Sequence, residues 1–229
     1  MTAPTVSVIV PVFNGERFLA AALDSVAAQD YRPIEIIVVD DGSTDATPQI
    51  LAARSDIRVI RQDNQGPSVA RNVGVAHARG DVFAFLDGDD LWRANKLAMQ
   101  IRDLHANPGH GYNICQCRFF LEPGIEPPKW LLPGFYDLPR VAYLPSALVV
   151  RRQTLEAIGG FDPGLRLGED TDWFARAMER NTAHAVLPEV LLDRRIHGGN
   201  LSFELDACLR GALDSVRRAV MRKRQGGSG

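Results

Sequence analysis

The chain of 229 residues is 45% hydrophobic and 24% charged, enough apolar material for one large domain or two small ones with a sizeable core. Its formal net charge of −2 removes the electrostatic case for nucleic acid as a partner. Cys115, Cys117 and Cys208 are an odd, sparse set that argues against a disulfide framework and fits a reducing cytoplasm, and no nearby ligands complete a zinc site.

Short β-branched or aromatic runs at 6–10, 34–39, 57–60 and 82–86 predict four strands. Their near-continuous apolar character suits a parallel sheet covered on both faces. Between them lie helical patterns. Over 15–29, Phe18, Leu19, Ala22, Leu23 and Val26 form one stripe, with Asn14 placed to cap the helix. Over 67–78, Val69, Val73 and Ala76 do the same after a Gly66-Pro67 turn. Beyond about residue 106 the texture changes to proline, glycine and aromatics, read as strands and long loops. A strand and short helix follow, ending at Gly159-Gly160; then a helix from "EDTDW", a strand over "AHAVLPEVLLDRRIH" and a last amphipathic helix at 204–224. In that helix Leu205, Leu209, Ala212, Leu213, Val216 and Val220 share a face, while Arg210, Arg217, Arg218, Arg222, Lys223 and Arg224 make it basic, compatible with peripheral contact with the inner face of a membrane. The start "MTAPTVSVIVPVFN" lacks the marks of a secretory signal, no run approaches the ~20 apolar residues that span a bilayer, and 225–229 reads as a flexible tail.

Alternation of strand and helix predicts an open α/β sheet, whose ligands bind outside the carboxyl ends of the strands. Four polar loops sit there: "PVFN", "DDGSTD", "QDNQGPSVARN" and "DGDD". The last places Asp87, Asp89 and Asp90 directly after a buried run. Crowded carboxylates repel one another unless a cation neutralises them, and Mg2+ or Mn2+ favours one or two carboxylates with phosphate oxygens. Neither GxxxxGK[ST] nor GxGxxG follows the first strand, so a P-loop and a nicotinamide site are unsupported.

The ordered set "VSVIVPVFNGERFLAAALDSVAAQ", "EIIVVDDGSTDAT", "NQGPSVARNVGVAHARGDVFAFLDGDD", "GGFDPGLRLGEDTDWFARA" and "RIHGGNLS" resembles family 2 glycosyltransferases. The resemblance implies a GT-A type α/β fold: an open, mostly parallel sheet flanked by helices, a mixed-sheet acceptor half and a C-terminal helix. It divides the chain into a nucleotide-sugar half (1–105), an acceptor half of the same domain (106–203) and the helix. It implies a hexosyltransferase-type enzyme moving a sugar from a nucleotide diphosphate sugar, UDP-linked in most of the family, with inversion. The acceptor, whether glycan, lipid-linked sugar, small molecule or peptide, is unassigned. Carried over residue by residue, Pro11, Val12, Asn14, Asp40 and Arg71 border the nucleotide and Asp87 lies near the ribose. Asp89 binds a divalent metal (Mn2+ or Mg2+), and His197 approaches the diphosphate or that metal. Asp170 is the catalytic base, with Glu169 supporting the acceptor side.

Rival readings stand beside these. Asp41 and Asp45 read as turn residues, Asp90 as the cap of the next helix, and Arg71 as a partner for the sheet-end carboxylates. "FAFLDGDDLW" also matches the opening pattern of haloacid-dehalogenase phosphatases, and a non-catalytic sugar-nucleotide binding module would keep the same motifs.

Overall fold

The computed structural model describes residues 3–127, 134–135, 138–165, 167–200 and 205–226. A parallel block comes first. Strand β1 (Val6–Val12) lies between β2 (Ile34–Asp40) and β4 (Val82–Phe85), and β3 (Arg58–Arg61) adds to β2. Helices α1 (Leu19–Ala27), α2 (Thr47–Ala52) and α3 (Pro67–His77) make the crossovers. Register pairs Val12 with Asp40, so the carboxyl ends of β1 and β2 finish side by side.

The second block continues the same sheet in mixed sense. β8 (Val149–Arg151) pairs antiparallel with β4, and β6 (Tyr112–Leu121) antiparallel with β8. β9 (His184–Ile196) runs parallel to β6 with a register shift at Gln116, and carries the short β5 (Leu91–Trp92) on its other side. β7 (Arg140–Val141) pairs with β6. Helix α4 (Lys96–Ala106) precedes β6; α5 (Arg152–Ile158), α6 (Glu169–Glu179) and α7 (Leu205–Gly226) complete the order. The four-strand parallel block and the mixed half follow the expectation. One apolar core runs through both halves, from Val8 and Phe85 to Tyr112 and Trp173.

Three expectations change. Helix α1 begins at Leu19, and Asn14 does not cap it; with φ of 51° it turns the chain while its side chain crosses to the next loop. On α3 the buried positions are Ser68, Ala70, Arg71 and Gly74, whereas Ala76 is exposed. A Cβ on Gly74 would lie 2.4 Å from Cγ2 of Ile9, so this helix sits on the sheet through its smallest residues.

Helix α7 inverts its pattern, and it runs to Gly226, past the expected start of the tail. Leu213, Val216 and Val220 are 56%, 57% and 44% exposed, while Gly211 and Ser215 pack inward; Leu205, Leu209 and Ala212 lie outside the described side chains. Ser215 Oγ donates to the Gly168 carbonyl at 2.7 Å. Arg218 pairs with Asp162, and Arg222 reaches Asp172 at 2.7 Å and Glu179 at 3.0 Å. Two of the cations that would meet an anionic surface are thus engaged with the domain. No helix among the described residues is long and apolar enough to cross a membrane.

Lys96 opens α4 fully buried, its Nζ 4.1 Å from the Trp92 ring centroid and without a hydrogen-bond partner among the described residues. Burial pulls its pKa down to about 8, with Cys115 opposing. Because the folded value is depressed, the native state binds fewer protons than the unfolded chain between about 8 and the ordinary lysine value, and stability rises with pH there. Lys96→Met should therefore stabilise the fold at pH 7 by about 1–3 kcal/mol, a gain that fades as pH climbs through that window. Urea unfolding at pH 7 and pH 10 checks it.

Candidate active site

The loops after β1 and β2 are tied to each other before they can meet a ligand. Asn14 N–H donates to Ser43 Oγ at 2.9 Å, and Asn14 Oδ1 accepts from Thr44 N–H at 2.8 Å. Glu16 N–H donates to Asp45 at 3.0 Å, and Glu16 in return accepts from Ala46 N–H at 2.9 Å. Asp41 accepts from the N–H groups of Gln65 and Gly66 at 2.9 and 2.8 Å. Asp41 and Asp45 are thus turn residues, as expected. Asp40 is 1% exposed; it accepts from Ser43 N–H at 2.9 Å and pairs with Arg61 at 3.3 Å. Pro11 and Val12 lie buried beside it at the end of β1.

Arg71 connects two parts of the site. Its side chain is 3% exposed, and it donates to Asp87 at 2.6 Å and to Glu169 at 2.7 Å, with Phe161 under the guanidinium at 5.3 Å. The fork that the resemblance assigned to the nucleotide is therefore occupied by two carboxylates. Burial pushes the Glu169 carboxyl up, and Arg71 only partly opposes it. Glu169 and Asp170 stand in the first turn of α6, after Gly168 with φ of 80°. A Cβ on Gly168 would lie 2.6 Å from the Gly211 carbonyl, so α7 fixes this turn from behind. Asp170 is half-buried, and its Oδ1 accepts from Thr171 N–H at 2.6 Å.

The three aspartates of the acidic turn differ in environment. Asp87 N–H donates to Ser146 Oγ at 3.1 Å, and that hydroxyl donates to Asp90 Oδ2 at 2.8 Å. Asp90 does not cap α4, because β5 intervenes and Asn95 precedes the helix. It is buried, and desolvation together with Asp89 and Asp87 holds its carboxyl well above the usual range. Asp89 also resists burial, yet the hydrogen bond from His197 and the nearby Arg194 hold it below the usual range. Asp89 Oδ2 accepts from His197 Nε2 at 3.1 Å and from Asn200 Nδ2 at 2.9 Å. Gly199 N–H points at His197 Nδ1 from 3.1 Å, which leaves the ring proton of the neutral tautomer on Nε2, facing Asp89.

The sequence did not single out Ser146, Arg194, Arg195 or Asn200. Arg194 is half-buried within electrostatic reach of Asp87, Asp89, Asp90 and Asp170, and these carboxylates raise its pKa against the opposing effect of desolvation. Arg195 and Asn200 lie inside "RIHGGNLS", but nothing in their residue types marked them apart from His197.

Among the described residues no three His, Cys, Asp or Glu side chains form a ready metal cage. Asp89 and His197 nevertheless present oxygen and nitrogen donors 3.1 Å apart, a set that fits a divalent ion completed by phosphate oxygens and water. Ligation through Nε2 requires the proton on Nδ1, and so gives up the Gly199 bond.

An open sheet with an acidic turn after the carboxyl end of β4 and a carboxylate-bearing helix tied to it through Arg71 is the arrangement the resemblance implies. The model of glycosyl transferase family 2 matches residues 7–150, and the chain belongs to that family. An uncharacterized glycosyltransferase of Rickettsia typhi is 31% identical over 207 residues, covering 85% of this chain and 65% of that protein. The putative glycosyltransferase EpsH of Bacillus subtilis is 46% identical over 151 residues, covering 63% of this chain and 43% of EpsH. The chain thus spans less than two thirds of either relative. The fold is GT-A. A Pyrobaculum calidifontis mannosyltransferase solved with GDP-Man and Mn2+ superposes with a TM-score of 0.75 at 24% identity, over 96% of this chain and 65% of that one. S. aureus TarS gives 0.69 at 24% identity, over 84% of this chain and 37% of TarS. The phosphatase reading fails on fold and on geometry, since Asp87, its nucleophile, is held by Arg71.

Arg71→Met should leave Glu169 buried without a counter-charge and destabilise the protein by about 3–5 kcal/mol, measured by urea unfolding. Arg71→Lys, which keeps the charge but loses the fork, should fall between.

Proposed function

We propose that the chain transfers a sugar, with inversion, from a nucleoside diphosphate sugar to an acceptor nucleophile. The observation that carries this reading is the Arg71 bridge, which brings Asp87 at the end of β4 and Glu169, the neighbour of Asp170, to opposite ends of one guanidinium. It supports a donor half at 1–105 and an acceptor half at 106–203 meeting in one crevice.

Asp40, with Pro11, Val12 and the Asn14 loop, takes the base, and Asp87 the ribose. Asp89 and His197 would hold Mn2+ or Mg2+. When bound, that ion would offset charge on the departing diphosphate. Asp170 accepts the proton of the acceptor as the acceptor atom bonds to the anomeric carbon and the bond to the nucleoside diphosphate breaks. Arg71 does no chemistry; it keeps Glu169, and with it the first turn of α6, in place. TarS has been solved with UDP and UDP-GlcNAc, and the Pyrobaculum enzyme with GDP-Man, so uridine and guanosine donors are the first to test, uridine foremost.

A thermal-shift panel of nucleoside diphosphates with and without Mn2+ tests the donor assignment, since stabilisation follows the binding constant. Asp89→Asn should stay folded and lose most of the Mn2+-dependent stabilisation; unchanged metal-dependent affinity by calorimetry would remove Asp89 from the metal site. Asp170→Asn should bind nucleotide and metal nearly as the parent does, while transfer or donor hydrolysis falls by roughly 100-fold or more. Full turnover in that variant would sink the base assignment. Nucleotide binding without any turnover in the parent protein would favour the binding-module reading.

A further inference from the structure

Arg195, on β9 two residues before His197, touches the acidic turn twice. Its Nε–H donates to the Asp89 carbonyl at 3.1 Å, and its main-chain N–H donates to Asp90 Oδ1 at 3.2 Å. The guanidinium lies over two aromatic rings, with Cζ 4.6 Å from the Phe18 ring centroid and 4.7 Å from that of Phe120. A terminal nitrogen donates to Glu122 at 2.5 Å, and Glu122 also pairs with Arg17 at 3.2 Å. The Arg195 side chain is 11% exposed, so its charge is already answered inside the protein and is not on offer to a donor phosphate.

Phe18 serves a second side chain. Its ring lies 4.5 Å from that of His197, the residue that donates to Asp89 Oδ2. One aromatic ring thus seats both the group that fixes the Asp89 peptide and the group that meets the Asp89 carboxylate. A carboxylate at the tip of a turn is aimed by its backbone, and rotation of the Asp89 peptide would swing the side chain away from His197 and Asn200.

We propose that Arg195 is a positioning residue for the cation site: by clamping the Asp89 carbonyl from an aromatic seat, it holds the Asp89 carboxylate at the angle a divalent ion requires. This rests on the reading of Asp89 and His197 as the cation site. The residue acts through Asp89 and touches neither donor nor acceptor. Partners of this kind, one step removed from a metal, typically change its affinity by about 10–100-fold.

The test uses side-chain variants, because the main-chain bond to Asp90 survives in all of them. Arg195→Lys keeps the cation but cannot span Asp89, Glu122 and two aromatic faces together; Arg195→Met keeps only the stem. Mn2+ affinity in the presence of UDP or GDP is measured by electron paramagnetic resonance, beside nucleotide affinity without metal and the melting temperature. The expected result is a loss of Mn2+ affinity of about tenfold or more in Arg195→Lys, with metal-free nucleotide affinity little changed. Glu122→Gln, which weakens the ion pair but leaves the Asp89 contact, should bind Mn2+ nearly as the parent does. If Arg195 merely supports the fold, metal affinity will instead track melting temperature across all three variants, and the proposal falls. Parental Mn2+ affinity in a folded Arg195→Lys or Arg195→Met also overturns it, and leaves the cation assignment of Asp89 standing. A parent protein with no Mn2+ binding overturns that assignment itself and this proposal with it.

Discussion

One buried guanidinium divided between two carboxylates determines how the rest of the molecule meets. Arg71 emerges from the sheet-facing side of α3, and its two partners come from opposite halves of the chain, 16 residues away at Asp87 and 98 residues away at Glu169. Desolvating three charges is expensive, and such clusters add little net stability over an apolar filling. What they add is geometry. The fork accepts only planar, opposed carboxylates at hydrogen-bond distance, so the end of β4 and the start of α6 have one relative placement. A greasy contact between the same elements would tolerate sliding; this one does not.

The strands were legible because a strand covered on both faces must be apolar throughout, and "VSVIV" or "VFAFL" admits few other readings. The helix faces were harder, for one physical reason that recurs. Hydrophobic periodicity selects large side chains, whereas helices that approach a neighbour closely do so through small ones. On α3 the contact runs through Ala70 and Gly74 against Ile9, and on α7 through Gly211 and Ser215 against Leu167 and Gly168. A stripe of valine and leucine was visible on α7, but it faces solvent at Leu213, Val216 and Val220. The cap assigned to Asn14 failed for a related reason: its side chain bonds a loop 30 residues ahead, an alternative that local sequence does not display.

In the site, acidic residues could be read and their partners could not. A run such as "LDGDD" declares itself because clustered carboxylates need a reason. Arginines do not, since a chain with 26 Lys and Arg scatters them everywhere. Arg195 meets the turn across more than 100 residues, and Ser146 meets it from a stretch that carries no family motif. These partners become functional only once the mixed half of the sheet has brought the end of β9 and the short helical turn at Pro145–Ala147 to the acidic turn that follows β4.

Those partners explain how three aspartates coexist within four positions. They are not three equal charges. Asp87 is paired with Arg71, and its charge is answered from the α3 side. Asp90 is buried between Ser146 and the Arg195 amide, and its carboxyl is driven toward the protonated form by burial and by its two neighbours. Asp89 is held below the usual range with a side chain 29% exposed, close to the 31% of Asp87, but its partners are His197 and Asn200 rather than a buried arginine. The fold thus holds the three in different ways: Asp87 on Arg71, Asp90 between Ser146 and the Arg195 amide, and Asp89 against His197 and Asn200. Burial and the two neighbouring carboxylates raise the affinity of Asp90 for its proton, while Ser146 and the Arg195 amide hold its two oxygens, so its work in the turn is structural.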